Sequence, residues 1–200
     1  VDLTELVKHL TTSGIRAIAF SQNPEPMLWC VMLDGSLLTC TYNRAQEVIA
    51  WAKHTTQGTF ESVAVTYGDT ANADDVWFVV LRNGTRRLEK IDVAFWANLY
   101  NGGRLYHMDG AVTKTGAAFT SVTGLTHLNG LTAKVTANGI AQTDAVVSGG
   151  SVTVPTGTTH AVVGLPFTSE LQPMPFDIQL QTGTTQSRKM HTPSLAVRLY

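Results

Sequence analysis

The feature that most restricts this chain is a pattern that occurs twice. An apolar run carrying one Trp leads into a tight turn, and a second β-rich run leaves it. The pattern stands first as MLWCVMLDGSL, with Trp29 ahead of Asp34-Gly35, and again as DVWFVVLRNGT, with Trp77 ahead of Asn83-Gly84. Short runs rich in β-formers fit strands, and Asp-Gly or Asn-Gly between two of them is a strong hairpin signal. Around the first copy, strands are expected at 15–20, 27–33, 36–42 and 48–54. Around the second they are expected at 61–67, 76–82 and 85–91. This predicts a four-stranded antiparallel sheet over 15–54, with Trp29 and Trp51 mostly buried. The repeat spans about forty to fifty residues, the size of one propeller blade. Ahead of it, Leu3, Leu6, Val7 and Leu10 recur at helical spacing behind Asp2, a candidate N-cap, which predicts a short amphipathic helix over 2–10.

The composition changes near residue 92. Residues 1–92 carry 19 of the 29 charged side chains, and the remaining 108 residues carry 10. The second half is rich in Thr, Gly and Val, with strands expected at 104–108, 120–122, 131–137, 151–154, 161–165, 176–181 and 194–200. Their spacing suggests a small barrel or sandwich. Asn129-Gly130 and Asn138-Gly139 predict tight turns with positive φ. The fold class is therefore all-β: propeller-blade-like antiparallel sheets over 1–92, then a β-barrel or sandwich domain over 93–200, with the boundary between 92 and 103.

Cys30 and Cys40 flank the first turn. A two-residue turn would place Cys30 opposite Thr39 and aim the two sulfurs at opposite faces. A three-residue loop would oppose the cysteines directly and allow a bridge. Free thiols, packed as small apolar residues, are the expectation.

Charged residues make up 14% of the chain, 14 basic against 15 acidic, for a net charge of -1. That fraction is well below the roughly 25% usual for soluble domains. Without a basic excess to neutralise phosphates, nucleic-acid binding is not the expected main task. No apolar run approaches the roughly 18 residues of a membrane-spanning helix. The first residue is Val rather than Met, no signal-peptide pattern opens the sequence, and 195–200 reads as a strand in mid-course. The chain is expected to be a piece of a longer protein.

No side-chain spacing points to catalysis. His9, His54, His107, His127, His160 and His191 are too far apart in sequence to pair on a metal. His107-Met108-Asp109 has the makings of a catalytic pair, yet residues i and i+2 of a strand merely share a face. GxSxG does not occur, and Ser148-Gly149-Gly150-Ser151 lacks the strand and helix that frame a nucleophile. Asp69, Asp74 and Asp75 form a small acidic loop without the ligand spacing of an EF-hand. Gly102-Gly103 and Gly149-Gly150, with no following Lys-Ser/Thr, read as turns. Trp29, Trp51, Trp77 and Trp96, with Tyr42, Tyr67, Tyr100, Tyr106 and Tyr200, would stack on sugars if they faced solvent. Three of the tryptophans fall inside β runs, which favours core packing. Asn83-Gly84-Thr85 fits the N-glycosylation pattern, though nothing marks the chain as secreted and eukaryotic. Arg86, Arg87 and Lys90 make one local basic face. No catalytic, cofactor-binding or metal-ligating residue is assigned, no cofactor is expected, and the chain is not expected to be an enzyme.

The string LWCVMLDGSLLTCTYNRAQEVIAWAKHTTQGTFESVAV resembles a segment common in bacteriophage tail proteins, carried here by Trp29, Asp34, Gly35, Thr41, Tyr42, Arg44, Gln46, Glu47, Val48, Ala50, Trp51 and His54. VTGLTHLNGLTAKVTANG, HAVVGLPFTSELQPMP and GTTQSRKMHTPSLAVRL are similar to phrases of the same family. One departure is Ala52, where the family pattern has a second His. The family is that of the tail nozzle, or tail tubular protein B-like, and related tail-hub structural proteins of short-tailed phages and prophages. The resemblance implies a β-propeller with an inserted or appended β domain, ring-shaped homo-oligomers in the virion tail, and a channel through which DNA passes without sequence-specific recognition. It implies partners among copies of the chain and neighbouring tail proteins, synthesis in the bacterial cytoplasm, no membrane and no catalytic residues. Arg86, Arg87, Lys90, Arg188 and Lys189 would then be the residues to face a DNA path or a neighbouring subunit. The alternative from another class is a carbohydrate-binding adhesin-type β module.

Overall fold

The computed structural model describes residues 2–68, 73–91, 107–170, 179–180 and 183–184. Val1–Phe167 forms one compact unit and Thr168–Tyr200 a second. In the second, β13 (Gln179–Leu180) and β14 (Gly183–Thr184) pair as a small hairpin. The expected boundary at 92–103, the strand expected at 194–200 and the first three residues of the one expected at 104–108 lie outside the described residues, and 107–108 are not in a strand.

The first unit is all-β, with three antiparallel sheets and one short helix. Strands β1 (Ile15–Ser21), β2 (Met27–Met32), β3 (Leu37–Asn43) and β4 (Val48–His54) form a meander in chain order, as the first Trp-turn copy predicts. Strands β5 (Thr59–Thr66), β6 (Asp75–Arg82) and β7 (Thr85–Lys90) form a second meander. Asn83 and Gly84 close β6 onto β7 with φ of 47° and 74°, the mirror-image turn that an Asn-Gly pair selects.

The turn between β2 and β3 is a three-residue loop, but it begins one residue earlier than the loop that would oppose the cysteines. Met32 N donates to Ser36 O, so the loop is Leu33-Asp34-Gly35. Asp34 Oδ1 accepts from Ser36 N and Ser36 Oγ, and Gly35 sits at φ 82°. Cys30 consequently faces Leu38, while Cys40 faces Leu28. The two cysteines share a face as diagonal neighbours, neither opposed nor on opposite sides, and both are free and fully buried. Gly35 also has no room: a Cβ there would lie 2.7 Å from Thr59, whose neighbour Phe60 donates its backbone N–H to Gly35 O.

The two meanders pack face to face. Trp29, Val31 and Leu37 of the first meet Phe60, Val76, Phe78 and Val80 of the second in one apolar cluster. Trp29 and Phe60 each stand edge-on to Phe78, at centroid distances of 5.8 and 5.4 Å. The indole N–H of buried Trp29 is satisfied by Ser21 Oγ. The other face of the first meander carries Cys30, Met32 and Leu38, with Leu10, Leu28 and Trp51 packed against them. Trp51, partly buried, donates Nε1–H to Leu3 O. The predicted helix over 2–10 is shorter and later: a 3-10 turn at Glu5–Val7, then α1 at Lys8–Thr11. Asp2 does serve the chain start, accepting from Thr4 N and Thr4 Oγ1.

The third sheet is built on two strands longer than expected, β8 (Asp109–Thr123) and β12 (Ser151–Leu165). Expected breaks within them are bulges. Thr153 pairs with Ser121 but Thr158 with Phe119, so Val154–Gly157 bulge out of the ladder around Pro155, which has no N–H to give. Thr158 Oγ1 closes the bulge on Pro155 O. Strands β9 (Thr132–Ala137), β10 (Ile140–Ala141) and β11 (Ala145–Val146) complete the sheet. Gly130 and Gly139 take the positive φ expected of them, at 79° and 81°. A separate apolar cluster forms on this sheet, with Val122, Leu125, Leu128, Val135, Val152 and Val163 at its centre. Outside its strand pairings, a single Ser148–Ser151 bridge spans the turn into β12. Among the described residues no closed barrel or propeller forms.

Candidate functional site

Strand β6 alternates strictly, with Val76, Phe78 and Val80 facing the first meander. The next position in phase is Arg82, so a guanidinium is carried inward where the pattern calls for an apolar side chain. Its side chain is 2% exposed. Arg82 Nε and Nη2 donate to Glu89 Oε1 and Oε2 at 2.6 and 2.8 Å, the planar two-point geometry that suits guanidinium and carboxylate. Nη2 and Nη1 also donate to Asp109 Oδ1 and Oδ2 at 3.0 and 3.3 Å, and Nη1 to Gln57 O at 3.0 Å. Thr56 Oγ1 donates to Asp109 Oδ2 at 2.7 Å. Burial works against the charge of Arg82, and the bonds to Glu89 and Asp109 outweigh it, raising its pKa above that of a free guanidinium.

Around this ion cluster the second meander meets the third sheet through polar bonds. Gly110, at φ 55°, leaves space for the guanidinium: a Cβ there would lie 3.2 Å from Arg82 Cζ. His127 lies 8% exposed in the 3-10 turn Thr126–Leu128, with Nε2 2.7 Å from Gly110 O. A carbonyl only accepts, so that nitrogen carries the proton. Asn83 Nδ2 donates to His127 O, and Arg87 Nη2 to Thr126 Oγ1.

Among the described residues, those considered for chemistry are not gathered into one site. Asp109 is turned to Arg82 and Thr56, while His107 stands edge-on to Phe167. Asp74 Oδ2 accepts from Gln22 N and Asn23 N and so clamps the β1–β2 turn, whereas Asp75 pairs with Lys90. Asp69, Gly102, Gly103, Trp96, Tyr100, Tyr106, Arg188, Lys189, His191 and Tyr200 lie outside the described residues. Among those described, no three His, Cys, Asp or Glu side chains come together to hold a metal ion. Ser151 Oγ donates to Ser148 O inside a turn, and Gly150 N donates to Asn129 Oδ1.

The expected basic face is engaged. Arg86 pairs with Glu61, drawing that carboxyl below its usual pKa; Arg87 holds Thr126, and Lys90 lies over Trp77 at 5.3 Å. Asn83, the candidate glycan acceptor, has its amide on His127 O. A shallow cleft of about 230 Å³ is lined by Asp34, Ser36, Lys53 and Thr56 among others. Its carboxylate accepts from Ser36 N and Oγ, which lowers the Asp34 pKa. His54 is exposed as a residue, yet its Nε2 sits 2.8 Å from Thr39 Oγ1, and loss of water there lowers its pKa. Burial raises the pKa of both Cys30 and Cys40 and holds them as thiols.

The Arg82 cluster went unseen in the sequence, although one signal was present: an arginine in phase with three core residues at the end of an alternating strand. A scan against protein-family models finds no match to this chain, and neither does a search of curated proteins. The likeness to tail proteins rests on the motifs alone.

Proposed function

We propose that this chain is a non-catalytic structural component of a phage or prophage tail, forming part of a ring-shaped nozzle or hub. The observation that carries this reading is the stacking of two successive meanders through Trp29, Phe60 and Phe78. Consecutive propeller blades are meanders that bury one another's faces in this order, and the third sheet with its own core suits an appended β domain. The low charge fits a part that spends its life packed against others, since few side chains must be stripped of water at each contact. Its partners are copies of itself and neighbouring tail proteins in the virion, with DNA passing through the channel unread.

A sugar-binding module has less support. Trp29 is buried, Trp51 is tied to Leu3 O and Trp77 has Lys90 over its ring, which leaves Tyr67, 83% exposed, as the most open aromatic side chain described. The test is the mass of the purified protein in solution, with electron microscopy of the particles. Closed rings support the tail reading. A monomer at all concentrations, or turnover of an ester, glycoside or peptide, overturns it.

A further inference from the structure

From the way its sheets are attached, we infer that the Arg82 cluster is a breakable joint, about which the third sheet swings against the two stacked meanders when acid discharges the carboxylates. Three observations carry this. The apolar clusters are separate, so no buried apolar residue of the third sheet belongs to the core of the meanders. The bonds described across the junction are polar: Arg82 to Asp109, Thr56 to Asp109, Asn83 to His127 O, and Arg87 to Thr126. The one charge buried there, Arg82, belongs to the meander side and shares its guanidinium between Glu89 of its own sheet and Asp109 of the other.

Opening such a junction differs from parting two apolar sheets. Parting the meanders would expose Trp29, Phe60 and Phe78 to water. Opening the joint exposes ions and amides that water solvates well, so the loss of protein bonds is largely offset. Closed and open forms are thus close in free energy, as a two-state element requires. Protonating Asp109 or Glu89 removes the countercharge that makes Arg82 tolerable in a buried place and tips the balance toward the open form. The other groups at the junction do not oppose this. His127 Nε2 is held on Gly110 O, Thr56 and Gln57 carry no ionisable group, and Arg87 is turned to Thr126 Oγ1. This property belongs to the fold and holds whichever function the chain serves.

The experiment measures the distance between nitroxide labels on Leu88→Cys in β7 and Ile140→Cys in β10, both at residues 67% exposed, in the full chain. Native Cys30 and Cys40, fully buried, are shielded from the reagent. One narrow distance is expected near neutral pH. A second, longer distance should grow to the major population as the solution is acidified, while Trp29 fluorescence stays native. Asp109→Asn should show the longer distance already at neutral pH. The uncharged triple variant Arg82→Met, Glu89→Gln, Asp109→Asn should give a distribution that no longer depends on pH. A distance unchanged in acid and in Asp109→Asn overturns the joint. So does a change that occurs only together with loss of the Trp29 signal, or a triple variant that keeps the pH response of the parent.

Discussion

The two meanders and the third sheet are all antiparallel β structure, yet they are held in different ways. The meanders share a core in which three aromatic rings interlock, while the third sheet keeps its own core and meets its neighbour through Arg82 and its carboxylates. The difference lies in one in-phase position. Val76, Phe78 and Val80 weld β6 to the first meander, and Arg82 converts the end of the same face into a polar contact. A sheet can therefore be fused at one end of a strand and jointed at the other, according to what its alternating pattern ends on.

The strongest way to break this comparison is at the weld. Trp29→Ala or Phe78→Ala should cost about 3–5 kcal/mol, as truncating core aromatics does. In denaturant unfolding, amide exchange should rise in β2 and β6 together and leave β9 protected. Leu128→Ala, at a fully buried place in the third cluster, should cost about 2–4 kcal/mol and reverse that pattern, exposing β9 and β12 while β2 stays protected. If either variant loosens all three sheets equally, the cores are not independent.

At the joint the effect is smaller. Asp109→Asn removes one of two countercharges from a buried guanidinium while Glu89 remains, and should lower stability by about 1–3 kcal/mol, measured by chemical unfolding at neutral pH. The smallest effect belongs to His54. Its folded pKa is lowered, so the unfolded chain binds more protons as pH falls below about 6.5. Its contribution is present above that pH and is lost on acidification, and His54→Gln should flatten the stability slope there, read from thermal unfolding across the range.

Local chemistry made much of this fold legible. The hairpins of the meanders follow from Trp29, Trp77 and their turns, and the glycines after Asn129 and Asn138 adopt the φ those pairs demand. What escaped was decided over longer range. Gly116 and Pro155-Thr156-Gly157 have the composition of turns, but the register between β8 and β12 absorbs them as bulges. The β2–β3 loop is Leu33-Asp34-Gly35, with the Asp34 carboxylate accepting from Ser36, and it sets Cys30 opposite Leu38 rather than Thr39 or Cys40. The Arg82 cluster draws Gln57, Glu89 and Asp109 from separate parts of the chain, and no local pattern announces that meeting. The polar junction became visible only with the topology.

Two turns that look alike on paper also differ in the variation they will admit as the gene drifts. Gly84 has nothing within 4 Å of a would-be Cβ, so a substitution there meets only the reluctance of L-residues toward φ 74°. Asn or Asp can carry that conformation at modest cost. Gly35 faces Thr59 at 2.7 Å as well as φ 82°, so the same replacements collide with the neighbouring sheet. In a library saturated at both positions, survivors should be diverse at 84 and nearly all glycine at 35. Lineages of this chain would therefore record their history in one turn and stay silent in the other.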